Sequence, residues 1–149
     1  MRDRLEEAVL ASIPGTSRNG AKAERLPNTS NIAFDSIEAE AILMLLDQVG
    51  ICASSGSACT TGSLDPSHVL VAMGLSPARA RGSVRFSLGI DNTDEDVDYL
   101  LKHLPTIIAK LRTVSPASPL KVTPARRNVT ASIAGPTRRE ERKLRREAA

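Results

Sequence analysis

Chemistry in this chain begins with the run Ser54-Ser55-Gly56-Ser57-Ala58-Cys59-Thr60-Thr61-Gly62-Ser63, ten small or polar residues around one thiol. Such a composition builds a mobile loop and no core. A structural cysteine sits among apolar neighbours, so Cys59 is a candidate nucleophile or carrier, with an inert loop thiol as the alternative on residues alone. Arg85, in the alternating run Ser83-Val84-Arg85-Phe86-Ser87-Leu88-Gly89, can clamp a carboxylate through two parallel hydrogen bonds or make a cross-strand ion pair. Cys52 lies in the apolar stretch Val49-Gly50-Ile51-Cys52-Ala53 and is expected in the core. His68 falls nine residues past Cys59 and is expected as an exposed helix histidine, and His103 shows no partner in the pattern. Two cysteines spaced C-x6-C and two scattered histidines give neither a zinc signature nor a disulfide framework.

The elements that must position these residues are legible in order. Leu5, Val9, Leu10 and Ile13 predict an amphipathic helix ended by Pro14-Gly15. It begins at Met1 without a cap, which suggests a further part upstream. A strand is possible around Ser17–Gly20, and Asn31–Asp35 reads as a strand with Ile32 and Phe34 on one face. Asp35 and Glu38 predict a capping box for a helix from Ala39 to Leu46, apolar on nearly all sides and ended by Gly50. Val49–Ala53 predicts a buried strand. Asp65 as N-cap and Pro66 at the first helical position predict a helix over 66–73, stopped by Gly74. Thr93-x-x-Asp96 opens the longest helix, with its apolar stripe from Val97 to Leu111 and a kink or break expected at Pro105. The alternation predicts an α/β fold: a small sheet of three to four strands with helices packed on it.

At 149 residues the chain suits one domain plus an extension. The net charge of +3 hides two unlike parts. Residues 113–149 carry nine Lys/Arg against three Asp/Glu, and residues 1–112 carry 11 against 14. The first part is therefore a mildly acidic domain, and the second a basic tail expected to be disordered and solvated. With one Tyr, two Phe and no Trp there is little material for base stacking, and nucleic acid is not expected as a partner. No stretch is long and apolar enough for a membrane span and no signal-peptide pattern stands at the N-terminus, so a cytoplasmic setting is expected.

Three runs together carry a resemblance: Leu26-Pro27-Asn28-Thr29-x-Asn31-Ile32, the run Ser54–Thr60 and the run Ser83–Gly89. In this order they resemble the small C-terminal domain of a cysteine desulfurase of the NifS/IscS branch of the class V aminotransferases, over roughly residues 1–115. The resemblance implies dependence on pyridoxal phosphate (PLP) and removal of sulfur from L-cysteine to leave L-alanine. It implies that Cys59 attacks the substrate sulfur and keeps it as a persulfide for a sulfur acceptor or iron–sulfur scaffold protein. It also implies that Arg85 holds the substrate carboxylate, and that the protein works as a homodimer or with a large-domain partner. The family's PLP-binding groups, a Schiff-base lysine foremost, lie in a large domain without counterpart here. Lys22, Lys102 and Lys110 match nothing in that motif. The chain thus reads as a C-terminal fragment or one half of a split gene, inactive alone, with PLP held by the missing large domain. The alternative is a non-catalytic sulfur carrier or partner-docking module.

Overall fold

Strand β4 (Ser83–Ser87) decides the layers, because its residues alternate between two environments. Val84 and Phe86 are buried, whereas Arg85 is half-buried and Ser87 exposed. In the computed structural model, which describes residues 1–21, 24–56 and 66–114, β4 lies inside a four-stranded antiparallel sheet. The other strands are β1 (Thr16–Arg18), β2 (Thr29–Phe34) and β3 (Ser54–Ser55), in the order β1-β2-β4-β3. The predicted α/β architecture is observed.

Three helices cover the Val84 face: α1 (Arg2–Ser12), α2 (Ala39–Asp47) and α5 (Asp94–Val114). Leu5 and Val9 from α1, Ile42 and Leu46 from α2, and Leu104 and Ile108 from α5 pack on Ile32, Phe34, Val84 and Phe86. Burying such side chains stabilises by roughly 1.5–3 kcal/mol each. Two short helices complete the described chain, α3 (His68–Ala72) and α4 (Pro77–Arg81). Helix α4 has no counterpart in the elements expected from sequence, although Ser76 caps it through Arg79 N–H and Pro77 starts it.

Several local expectations are corrected. Helix α2 is one-sided: Ala39, Ile42 and Leu46 are buried while Met44 is 67% exposed, because only one flank of the helix meets the sheet. The Asp35–Glu38 capping box does not form. Glu38 itself is the N-cap, without a side-chain cap bond, since Ser36 at φ +64° turns the chain between Asp35 and the helix. Residues 49–53 form no strand. Gly50, at φ +76°, closes α2 with its N–H on Asp47 O, and pairing with β4 starts only at Ser54. Helix α3 begins at His68 with Ser67 as its cap, in place of a start at Pro66; Asp65 lies outside the described residues. Helix α5 runs through Pro105 to Val114, because buried Leu100, Leu104, Ile107 and Ile108 hold it to the core on both sides of the missing N–H. Its start is as expected, with the Asp96 carboxylate accepting from Thr93 N–H at 2.9 Å.

One core contact is ionic. Glu6, on α1, is fully buried and accepts from Arg18 Nη1, Arg25 Nη1 and Ser30 Oγ, each at 2.6 Å. Burial alone would push its carboxyl up. The hydrogen bonds from Arg25, Ser30 and Arg18 outweigh that and bring it down to about 2. The proposed tail over 113–149 falls outside the described residues from 115 onward.

Candidate active site

The face of the sheet opposite the three helices is polar. Arg85 stands on it at the centre of β4, with Asn31 of β2 directly opposite on one side and Ser54 of β3 on the other. Directly opposed antiparallel residues share a face, with Cβ atoms about 5 Å apart. Central placement between two strands fixes the backbone from which the guanidinium projects. Its Nε is buried and has no hydrogen-bond partner among the described residues. No salt bridge reaches Arg85 either, so the cross-strand ion pair considered from sequence is absent among the described residues. A buried, unpaired donor on a cation is costly, and a planar carboxylate is the partner its geometry suits.

The segment bearing Cys59 springs from this place. Residues 57–65, Cys59 among them, lie outside the described residues, but both flanks are defined. Ser54 and Ser55 pair with Arg85 and Val84, so the segment departs next to Arg85. It returns at Pro66 and Ser67. The Ser67 hydroxyl donates to the carbonyl oxygen of Gly56 at 3.2 Å and accepts from Leu70 N–H as the cap of α3. One side chain therefore holds the segment's two ends together and starts the helix that follows. Gly56 is closely approached there: a Cβ would come within 2.7 Å of Leu70 Cδ1 and 3.1 Å of Ser67 Cβ, so the Leu70 side chain would have to move. Sequence reading missed Ser67, although a serine three residues before Leu70 on an apolar run is a recognisable cap.

The remaining expected residues separate from this face. Cys52 is exposed, and the expectation of a core cysteine is corrected: after the Gly50 turn the chain is irregular, and no described element covers the thiol. It lines a cleft of about 330 Å³ with Leu5, Ile51, Phe86, Tyr99 and Leu100, a lining that does not include Arg85. The cleft's Asn92 and Asp96 are engaged in capping α5, through Asn92 Nδ2 to Asp96 Oδ2 at 3.2 Å and the Thr93 bond. His68 is exposed on α3, as expected. His103 does have a partner, the ring of Tyr99 one turn earlier, with centroids 4.4 Å apart.

The described residues do not fit PLP. Lys102 and Lys110 are exposed on α5, across the sheet from Arg85, and Lys22 lies outside the described residues. No lysine among the described residues stands on the Arg85 face to bind the cofactor covalently. The described residues also hold no group of three or more His, Cys, Asp or Glu fit for a metal ion.

The family described as aminotransferase class-V matches residues 2–100. The cysteine desulfurase NifS of Azotobacter vinelandii is 54% identical over 116 residues, which make up 78% of this chain and 29% of that protein. A cysteine desulfurase of Gluconacetobacter diazotrophicus is 55% identical over the same shares. Among solved structures, a NifS-like protein from Rickettsia africae superposes with a TM-score of 0.62 at 31% identity, over 72% of this chain and 27% of that one. The chain spans less than a third of the length of these relatives. By the match over residues 2–100, it belongs to the class-V aminotransferase family.

Proposed function

We propose that this chain is the C-terminal part of a cysteine desulfurase, supplying the sulfur-accepting thiol and the clamp for the substrate carboxylate. The observation that carries the reading is Arg85: a guanidinium at the centre of the sheet, its Nε buried and unpaired, beside the strand from which the Cys59 segment departs. Similarity to proteins named cysteine desulfurase supports the substrate as L-cysteine.

Each residue has a defined task in this reading. Arg85 takes the carboxylate in a bidentate pair, which places the substrate sulfur toward the segment bearing Cys59. The Cys59 thiolate is the competent nucleophile. It bonds to the substrate sulfur as that sulfur's bond to Cβ breaks. The electron pair of the broken bond and one proton go to Cβ, so L-alanine leaves and the sulfur stays as a persulfide. Sulfur is oxidised and carbon reduced within the same exchange, with no external oxidant. A segment anchored at both ends can then carry the persulfide to a sulfur-acceptor or iron–sulfur scaffold protein.

PLP belongs to a large domain whose residues this chain does not supply, as a second subunit or a longer form of the protein. Domain 1–112 then works only in that assembly, and residues 113–149 are a basic extension outside the reaction. A cytoplasmic site suits a reduced thiol nucleophile; among the described residues no helix is long and apolar enough to cross a membrane. The test is reconstitution with a PLP-binding large domain. L-Alanine release with sulfur retained on Cys59 is expected, and it is lost in Cys59→Ser. Sulfur bound at Cys59 without alanine release in the assembled protein would replace this reading with that of a carrier.

A further inference from the structure

We propose that Asn31 is a second donor to the substrate carboxylate beside Arg85, and that Arg79 and Asn19 set the direction of its amide. The assignment rests on the reading of Arg85 given above.

A chain of hydrogen bonds fixes which way each amide points. Arg79 lies on α4, and its guanidinium can only donate. Its Nε–H reaches Asn19 Oδ1 at 3.1 Å, so the Asn19 carbonyl faces Arg79. The Asn19 NH2 then faces the other way and donates to Asn31 Oδ1 at 2.6 Å and Ser83 Oγ at 2.9 Å. Asn31 Oδ1 is thereby occupied, and its NH2 is turned away from Asn19. Reversing either amide would place two NH2 groups, or an NH2 and a guanidinium, against each other. The relay is rigid: Asn19 is 4% exposed, its backbone N–H donates to Asn31 O at 2.9 Å, and Ser83 Oγ donates to Arg79 O at 2.7 Å. Arg79 Nη2 also donates to Arg18 O at 3.3 Å.

Asn31 and Arg85 are directly opposed in the β2–β4 register, so both side chains stand on the polar face. The Asn31 NH2 has no acceptor among the described residues, and neither has Arg85 Nε. The groups of the pair left without any partner are therefore donors. A lone guanidinium accepts any anion that approaches it, whereas a fork plus an amide donor at its side fits a carboxylate oxygen with a free lone pair. This relay explains a residue pattern that the described core does not require: a buried asparagine between two strands and a short helix.

The experiment follows the Arg85 Nε–H and Asn31 side-chain NH2 resonances of the full-length, 15N-labelled chain during titration with L-alanine, and with ethylamine as the probe lacking a carboxylate. L-Alanine is expected to shift both resonances, and ethylamine neither. Asn31→Leu should weaken L-alanine binding about tenfold, the worth of one charge-assisted hydrogen bond. Asn19→Asp keeps the size and the Arg79 contact but can only accept, so the Asn31 amide should reverse and binding should weaken to a similar extent with Asn31 still present. Movement of Arg85 alone, or unchanged binding in Asn31→Leu, overturns this inference and leaves the Arg85 reading standing. No movement at Arg85 overturns both. If a variant does not fold, the Asn31 resonance of the unaltered chain still decides.

Discussion

The hydroxyl of Ser67 donates to the carbonyl oxygen of Gly56, 11 residues earlier, and so ties together the two residues that flank the segment carrying Cys59. Its other bond, from Leu70 N–H, makes it the cap of α3. The points where the chain leaves and rejoins the body, at Gly56 and Ser67, are thus tied to each other. Ser67→Ala removes both bonds. A loss of about 1 kcal/mol is expected from the cap, or a melting temperature about 4–8 °C lower. In the assembled enzyme, sulfur transfer to Cys59 should fall more than L-cysteine binding does. Equal losses in both would show that Ser67 acts only through stability.

Glu6 makes folding depend on acidity. Its carboxyl sits at about 2 in the folded protein against an ordinary value of 4.5. The folded state binds the proton less readily than the unfolded one, so the stabilisation is fully present above about pH 4.5. It is lost as pH falls through the window from about 4.5 to 2. The magnitude is on the order of 3 kcal/mol. Glu6→Gln should lower stability at pH 7 and flatten its fall between pH 4.5 and 2, measured by urea unfolding across that range. An unchanged acid profile would show that the carboxylate is not held by Arg18 and Arg25.

Gly82 is a point of close backbone approach. A Cβ there would lie 2.5 Å from Phe34 O and 2.7 Å from Ile37 O, both of them backbone atoms. Gly82 O also accepts from Phe34 N–H at 2.8 Å, which prolongs the β2–β4 contact. Gly82→Ala must push β4 from β2, and a loss of about 1–3 kcal/mol is expected. Because Arg85 is three residues on, L-alanine binding should weaken in the same variant. A stable Gly82→Ala protein with intact binding would contradict the close approach.

Much of this architecture is legible in residue pattern. The alternation in Ser83–Ser87 and the 3–4 spacing from Val97 to Ile108 report burial directly, because one face of each element meets the core. What stays hidden depends on neighbours distant in the chain. Glu6 reads as a solvated helix residue until Arg18, Arg25 and Ser30 close around it. Cys52 reads as core because Ile51 and Ala53 flank it, yet the turn at Gly50 leaves it exposed. Arg85 is identifiable as a strand arginine, but its unpaired Nε and its register with Asn31 exist only once β2 and β4 pair. Helix α4 was missed because five residues carry too little periodicity.

The exposure of Cys52 has a practical consequence. Substituting an exposed side chain typically changes stability by no more than about 0.5 kcal/mol, so Cys52→Ser should fold as the parent does. Alkylation of the parent should modify Cys52 readily, and persulfide assays need this variant to report on Cys59 alone. Sulfur retention should survive Cys52→Ser. Its loss, with folding intact, would make Cys52 a participant in the transfer.

The Arg85 clamp is the most exposed part of the functional reading. In the reconstituted enzyme, Arg85→Ala should remove both hydrogen bonds to the substrate carboxylate and weaken L-cysteine binding by on the order of 2–4 kcal/mol. Arg85→Lys keeps the charge but not the fork, so it should recover only part of that loss. The effect should fall mainly on KM for L-cysteine, while thiol modification of Cys59 in the absence of substrate stays unchanged, because Arg85 is argued to hold the substrate and not the nucleophile. If Arg85→Ala binds L-cysteine as the parent does, the buried unpaired Nε has some other partner and the clamp is wrong. If binding is lost together with cooperative unfolding, Arg85→Lys distinguishes the cases: a structural cation is restored by lysine, and a bidentate carboxylate site is not.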